Sequence, residues 1–594
     1  MQPLVVTPLK KPLTFPYRIC AFDTETDGLG GDLLCITFAV LDLDGCLLRS
    51  GILEGRDMVS RFFGIVEGEG AGVIWYAHNA AYDWRYLFPH IAKNHAYFRP
   101  RLGLRGENMV YQIELFYQEE KAQIILRDSM AFYPQSLADL SKRFCPEHAK
   151  LSGAVDFSVE NFDIKNSEHR AYAIRDAESL ALSMYRLNEK IESLYDVPMG
   201  ATASGTALKA WRRTITKPFY THRPSLDFCR KAYYGGIVFL TDTKPHKNCV
   251  TVDINSCYPF VMRQYGVPDG VPIHTRRFHS GDVPAIYHCR ITAPDDLRVP
   301  IIPARVGGYT RWLRGRIETF CTNREIEFAL AHGYSDLEIL DGWVWDAFCY
   351  PFKQFVNMAE KIRAEFRGSA EEVLAKLIQN GLYGKFATKQ TRQRVFIPES
   401  DEECEGAEPL DVDSIFWVRE ETDENVYCNP AWSAFITAHA RLHLLRNVYD
   451  VIGVERVLYG DTDSITFWGD AVTVPTSNDY GDFKVEKRWA VFRAIAPKVY
   501  AGQLISGEWA GRVKGVPRRN ARGRFEELFH QGVIDSGDYL SLSGFFVGVR
   551  TGFTPAEKRH RMSTDIANSS SWVVMADGSV FPRFLGEVDG GPRI

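Results

Sequence analysis

Seven acidic side chains fall into two sets whose spacing could do chemistry on phosphodiesters. Asp23 and Glu25 stand two apart in RICAFDTE, so on an extended strand both carboxylates project from one face. Asp83 closes a second apolar strand, GVIWYAHNAAYD, and Asp176 lies in a helical stretch one turn after Tyr172, so phenol and carboxylate share a face. Four such oxygen donors can hold two divalent cations, which activate a water and stabilise the leaving oxygen during phosphodiester hydrolysis, with a tyrosine hydroxyl orienting the water. The second set is Asp253, at the end of the apolar strand that opens DINSCYP, and Asp461 and Asp463, which flank Thr462 at a hairpin tip. Carboxylates that converge from buried strands without basic partners are costly unless a metal occupies them. Two-ion phosphoryl transfer needs such a cluster: one ion lowers the pKa of an attacking hydroxyl and the other shields pyrophosphate. A calcium-loop reading of DTDS fails, because the glycine at loop position six and the acid at position twelve are missing. Between these acids, Lys376, Asn380 and Tyr383 are spaced for one helix face, a cation for a triphosphate and an aromatic for a base. Taken singly, each of these residues is more ordinarily a solvated or capping side chain.

The elements that must position them follow from the pattern of apolar residues. The run LLCITFAVLDLDGCLLRS reads as a hairpin turning at Asp44-Gly45. Residues 168–194 have helical periodicity with no internal Gly or Pro, so residues 1–190 read as one α/β domain. A strand leads into Asp253, a mixed region runs to about residue 350, two helical stretches follow (PFKQFVNMAEKIRAEF and AEEVLAKLIQNGLYGKFA), and RVLYGDTDSITFW reads as another hairpin. There is no internal repeat and no low-complexity tract.

At 594 residues the chain has length for about four domains. Its 45% hydrophobic and 24% charged residues exclude a disordered or fibrous protein. Twelve cysteines without a CxxC pair, no apolar run of about 20 residues and no leader pattern at the N-terminus read as reduced thiols in a cytoplasmic protein. The net charge of -5 argues mildly against a nucleic-acid partner. That balance is an average: residues 399–424 hold twelve acids and one base, and the rest of the chain carries a small positive excess. Arg512, Lys514, Arg518, Arg519, Arg522 and Arg524 form an acid-free basic run suited to phosphate contact. The acidic segment itself reads as a surface loop or hairpin that faces away from a duplex or meets a basic partner.

As sets, these motifs resemble a known family. Asp23-Thr-Glu25, the segment from His78-Asn79 to Tyr82-Asp83, and Tyr172-x3-Asp176 are similar to the three motifs of DEDD-type 3'–5' exonucleases. DINSCYP, KLIQNGLYG and YGDTDS resemble motifs A, B and C of family B DNA polymerases, in that order. Lys498-Val-Tyr500 resembles the KxY motif, the stretch from Thr437 to Arg441 the TxxAR motif, and Tyr233-Tyr-Gly235-Gly236 the YxGG motif. Length and motif spacing resemble the protein-primed bacteriophage subgroup.

The resemblance implies an α/β and α+β multidomain fold: a DEDD (ribonuclease H-like) exonuclease domain over 1–190, palm over 191–260 and 431–510, fingers over 351–388, thumb and C-terminal region over 511–594, and two subgroup insertions. The first insertion (261–350) would be terminal-protein-region-like; the second (389–430), acidic, would serve strand displacement and processivity. It implies a template-directed DNA polymerase with a proofreading exonuclease, using two Mg²⁺ ions per site (or Mn²⁺), a DNA template and primer, dNTPs and a terminal-protein primer, as a monomer in the host cytoplasm with no membrane partner. Asp253 and Asp463 would bind both polymerase metals, with help from the Ile254 carbonyl and from Asp461 through water. Tyr258 would exclude a ribose 2'-hydroxyl by clash. Arg363 and Lys376 would hold the triphosphate, Tyr383 would lie against the nascent pair, and Asn380 would shape that pocket. Lys498 and Tyr500 would steady the primer terminus, Thr437 and Arg441 the DNA backbone, and Lys514 the duplex. Asp23, Glu25 and Asp176 would hold the exonuclease metals with Asp83 beside them, and Tyr172 would orient the water. His78, Asn79 and Tyr82 would grip the frayed 3' end, and Lys150 aligns as a further contact there. Gly381 replaces the family's usual serine and Cys257 its usual leucine, which bears on fidelity and nucleotide affinity. Initiation on nucleic-acid primers, or without any primer, and a catalytically silent DNA-binding scaffold are the competing readings.

Overall fold

The structure, a computed structural model, describes residues 3–584 except 12, 14, 29–30, 95–96, 98, 106–108, 117–121, 152–161, 399, 411–414, 424–426, 470, 515, 517–520, 533, 542–555, 563–571, 576 and 578. Arg518 and Arg519 of the basic run, and Glu399, Asp411, Asp413 and Glu424 of the acidic segment, lie outside the described residues.

Three sheets organise the described chain. The first has ten strands. Its centre is the strand Arg18–Thr26, paired antiparallel with Leu33–Leu41 and parallel with Val73–Ala77. Leu33–Leu41 turns at Gly45 (φ 79°) into Leu47–Leu53, the hairpin expected from Asp44-Gly45. The helix Ser167–Tyr195 starts at an Asn166 cap, whose side chain accepts from the Glu168 N–H at 2.9 Å. It lies on the central strands through Ala177, Leu180, Ala181 and Met184, packed with Ile19, Ala21 and Ala39. Burial of this stripe, rather than helix propensity, is what holds a 29-residue helix in place.

The second sheet has seven antiparallel strands in the order Val238–Leu240, Val457–Asp461, Ser464–Trp468, His246–Ile254, Phe483–Ala496, Val499–Leu504 and Trp509–Val513. Register places Asp253 opposite Ser464 and Val238 opposite Asp461. The helix Pro430–Arg446, buried along almost its whole length, packs on the helices Leu226–Lys231 and Cys257–Gln264, and the helices Lys353–Glu365 and Ala370–Gly381 pack on one another.

Two strand sets cross the boundaries suggested by sequence continuity. Thr391–Phe396 and Trp417–Thr422 extend the first sheet through a Val395–Leu102 pair, so the acidic segment supplies strands to the exonuclease-like layer. The third sheet, Ile273–His274, Ser335–Val344, Ala285–Ala293 and Tyr309–Thr322, is completed by Val580–Phe584 and Trp572–Val574 from the far end of the chain.

Two local readings need correction. Asp83 does not end a strand: the strand stops at Ala77, Asn79 takes a left-handed conformation (φ 64°), and Asp83 stands at the N-cap position of the helix Trp84–Lys93. Tyr383 is not on the helix of Lys376 and Asn380, since that helix ends at Gly381 and a 3-10 turn, Tyr383–Ala387, follows. Gly381 is where that helix comes close to the start of the helix Ala203–Thr214: a Cβ there would lie 3.3 Å from the Ser204 backbone. Part of the acidic segment is internally held. Glu421 pairs with Arg394 at 2.8 Å, and the Arg419 guanidinium donates to the Glu403 carbonyl.

Val395 is fully buried among Ile397, Phe416 and Leu102 where the hairpin joins the first sheet. Val395→Asp would put an unpaired carboxylate there, at a cost of about 3 kcal/mol or more. The expected result is new cleavage between residues 397 and 422 in limited proteolysis; an unchanged digest would mean the hairpin is held elsewhere.

Candidate active sites

In the first site, strand alternation puts Asp23 and Glu25 on one face, and the long helix brings Asp176 against them. One carboxylate oxygen from each of the three lies within 4.8 Å of the others. Asp176 is 3% exposed, and its Oδ1 is buried without a hydrogen-bond partner. Its other oxygen pairs with the Lys150 ammonium, which also lies 5.7 Å over the Tyr172 ring. Burial, then the charges of Glu25, Asp83 and Asp176, push the Asp23 carboxyl well up. Burial and the Asp176 charge raise Glu25 to about 8. Three crowded carboxylates with an orphaned buried oxygen are a donor set that fits a hard divalent cation. Asp83 is not in this trio: its Oδ1 accepts from the Thr24 N–H (3.1 Å) and hydroxyl (2.7 Å). Burial raises its carboxyl to about 7, opposed by those hydrogen bonds.

Around this trio the turn after Ala77 is pinned by His78, whose ring nitrogens meet the Ser129 hydroxyl and the Gln135 carbonyl, both at 2.8 Å. Burial lowers its pKa to about 4, so the ring is neutral and fully engaged, and His78 holds the turn rather than offering a contact to DNA. Asn79 is exposed, with its backbone N–H on Asp128 at 3.1 Å. The Tyr82 hydroxyl bonds the Thr26 hydroxyl and the Gly28 carbonyl, the latter at 3.2 Å, which ties it to the end of the acid strand.

In the second site, Asp253 lies near the end of one strand and Asp463 in the turn that opens the neighbouring one. The Ile254 N–H donates to the Asp463 carbonyl at 2.8 Å, and Thr462 makes the turn with φ 64°. Burial, then the charges of Asp253 and Asp461, raise the Asp463 carboxyl to about 6. The expectation that these acids lack basic partners is wrong: Lys484 pairs with Asp253 at 2.9 Å, and Lys498 with Asp461 at 3.0 Å. Strand register decides this, because Lys484 lies directly opposite Asp253. Tyr258 and Tyr383 stack with centroids 4.2 Å apart and planes 6° from parallel. Arg363 donates to the hydroxyls of Ser256 (2.8 Å) and Tyr480 (2.6 Å), while Lys376 and Asn380 are exposed on one helix face. Beyond Lys498, a basic cleft of about 640 Å³ is lined by Lys487, Tyr500, Arg512, Lys514 and Arg522, with Glu486 as its acid. Tyr500 packs on Tyr459 at 5.3 Å.

Thr437 and Arg441 do not face this cleft. Both are 1% exposed. The Thr437 hydroxyl bonds the Ser433 and Ala434 carbonyls of its own helix, and the two terminal nitrogens of the Arg441 guanidinium bond Glu325 and the Tyr234 and Gly235 carbonyls, while its Nε is buried without a partner. A guanidinium sealed from water has no phosphate to reach. Tyr233 is half-buried, and Gly236 sits so close to Thr462 that a Cβ would fall 2.7 Å from its side chain. Sequence reasoning missed Lys484, Tyr480 and Glu325, which carry no motif and are brought in by register and packing.

The model of DNA polymerase type B, organellar and viral, matches residues 160–431. A DNA polymerase of Bacillus phage phi29 is 25% identical over 488 residues, 74% of this chain and 80% of that one. A probable DNA polymerase of Neurospora intermedia is 26% identical over 301 residues, 46% of this chain but 30% of the longer fungal protein. Phi29 DNA polymerase solved with primer-template DNA and incoming nucleotide superposes with a TM-score of 0.71 at 20% identity, covering 93% of this chain and all of that one. At that identity the likeness establishes the fold, an exonuclease domain joined to a right hand of palm, fingers and thumb. These matches make the chain similar to the family B DNA polymerases. Within them it resembles the protein-primed bacteriophage subgroup. No helix of the described residues is long and apolar enough to cross a membrane.

Raised carboxyl pKa values have a thermodynamic sign. Folded Asp83 and Glu25 keep protons up to about 7 and about 8, whereas their ordinary values are 3.8 and 4.5. Metal-free stability therefore falls as pH rises between those limits. A cation that binds the ionised forms offsets this. Mg²⁺ should raise the Tm more at pH 8 than at pH 6; equal shifts would remove the assignment of Glu25 to a cation.

Proposed function

We propose that the chain is a template-directed DNA polymerase that proofreads its own product and copies a viral or plasmid-like genome from a terminal-protein hydroxyl. The observation that carries this reading is the pair of separate carboxylate centres, one on the first sheet and one on the second, the latter beside a stacked tyrosine pair and a basic cleft. Magnesium is the proposed ion at both centres, where it would supply Lewis acidity to the attacking and leaving oxygens.

In the polymerase centre, Asp253, Asp463 and the Ile254 carbonyl are the proposed ligands, with Asp461 nearby. Lys484 and Lys498 screen these acids until the ions and substrates enter. Tyr258 and Tyr383 part to admit a base and sugar between fingers and palm, with Tyr258 left as the wall against a 2'-hydroxyl. Arg363 is proposed to exchange Ser256 and Tyr480 for triphosphate oxygens, with Lys376 and Asn380 completing that pocket. Tyr500, Lys498 and Lys514 line the proposed path of the primer strand. In the exonuclease centre, Asp23, Glu25 and Asp176 are the proposed ligands, Lys150 and Tyr172 flank the attacked phosphate, and Asn79 and Tyr82 receive the frayed end. The protein is proposed to act as a monomer in the cytoplasm.

Primer extension with Mg²⁺ and dNTPs, scored beside degradation of single-stranded DNA, tests the two-centre reading. Asp463→Ala should lower extension by about 1,000-fold, the several kcal/mol of a lost metal contribution, and spare degradation. Asp23→Ala with Glu25→Ala should do the reverse. One variant abolishing both activities would count against separate centres.

The mode of initiation has its own assay. Labelled dNTP should become covalently attached to a terminal protein encoded with this chain. Efficient copying of an unprimed template with no labelled protein would overturn protein priming and leave the polymerase reading intact.

A further inference from the structure

We infer that Glu325, which lies in the segment 261–350 outside both carboxylate centres, is a positioning residue for the polymerase reaction. It holds Arg441, Arg441 holds the Tyr233–Gly236 loop, and the loop abuts the turn that carries Asp461 and Asp463. The inference rests on the polymerase reading proposed above.

The Glu325–Arg441 pair is 2.6 Å long and both side chains are 1% exposed. Removing one partner of such a buried pair would leave the other charge uncompensated, and further hydrogen bonds hold both in place. Glu325 Oε2 accepts from the Thr322 N–H (3.1 Å) and hydroxyl (3.0 Å), which fixes the carboxylate on its own helix, Asn323–Ala331. From the other side, Arg441 donates to the Tyr234 carbonyl at 2.9 Å and the Gly235 carbonyl at 2.8 Å. The same segment sends Arg305 to the Tyr233 carbonyl at 2.7 Å, with its guanidinium 5.0 Å over the Tyr234 ring. Three successive carbonyls with no strand partner are thus taken by two arginines.

At its far end the loop has no slack. A Cβ at Gly236 would lie 2.7 Å from the Thr462 side chain, and the Thr462 N–H donates to the Ile237 carbonyl at 2.8 Å. In so dense a contact, a shift of the loop passes to the turn instead of being absorbed. A misplacement of about 1 Å at reacting groups costs about 100-fold in rate.

The experiment uses the full chain and measures kcat and KM for dNTP in primer extension, degradation of single-stranded DNA, and Tm. Glu325→Gln should lower kcat about 10- to 100-fold, leave the dNTP KM within about twofold, and spare degradation. Arg305→Met, at an exposed side chain that folding tolerates, should show a smaller fall of the same pattern and decides the matter if Glu325→Gln does not fold. Thr322→Ala removes the cap hydroxyl but leaves the Arg441 pair, and should lower Tm with kcat kept. Wild-type kcat in both Glu325→Gln and Arg305→Met overturns the inference. So does a loss of both activities in step with Tm across all three variants. A wild-type protein that degrades DNA but never extends a primer would instead sink the polymerase reading.

Discussion

Mutual repulsion among buried carboxylates is the constraint around which this molecule is built. Asp23, Glu25 and Asp176 bring carboxylate oxygens within 4.8 Å of one another, and Asp463 is pressed by Asp253 and Asp461. A fold does not gather such groups for stability, since each would prefer water. It gathers them by brute packing: the helix Ser167–Tyr195 is clamped to its sheet by a continuous apolar stripe, and Asp253 and Ser464 face one another because whole strands are in register. The cores supply the free energy that the centres consume.

The two centres manage the repulsion differently. In the exonuclease-like centre, one lysine, Lys150, meets Asp176 and the remaining acids sit with raised pKa values. In the polymerase-like centre, Lys484 and Lys498 each take an acid, and the flanking cleft is basic. The contrast fits their proposed substrates: a single frayed end in one, a triphosphate and a duplex in the other.

The segments between the motifs do more than decorate the two domains. The acidic hairpin extends the first sheet, and the last described strands close the sheet of segment 261–350. Arg305 of that segment, and Glu325 through Arg441, reach the loop beside the turn that carries Asp461 and Asp463. Parts distant in sequence are therefore mechanically joined.

Read without a structure, the chain already declared its chemistry. Asp23 and Glu25 two apart, Tyr172 and Asp176 four apart, and the acids around Thr462 are local patterns, set by the period of a strand, a helix and a tight turn. The long helix, the Asp44-Gly45 hairpin and the palm hairpin were legible for the same reason. What local pattern could not reach was decided by tertiary packing. His78 and Arg441 look like DNA ligands in a motif, but their hydrogen bonds to the protein interior make them internal braces. Tyr383 lies past the end of that helix, which stops at Gly381 where it comes close to Ser204. Lys484 finds Asp253, and Val395 carries the acidic hairpin into the first sheet, through pairings between residues more than two hundred positions apart. The sequence alone thus determined which groups could react. Only the folded chain decided which of them face a substrate, because exposure and long-range register belong to the whole packing and not to any stretch of it.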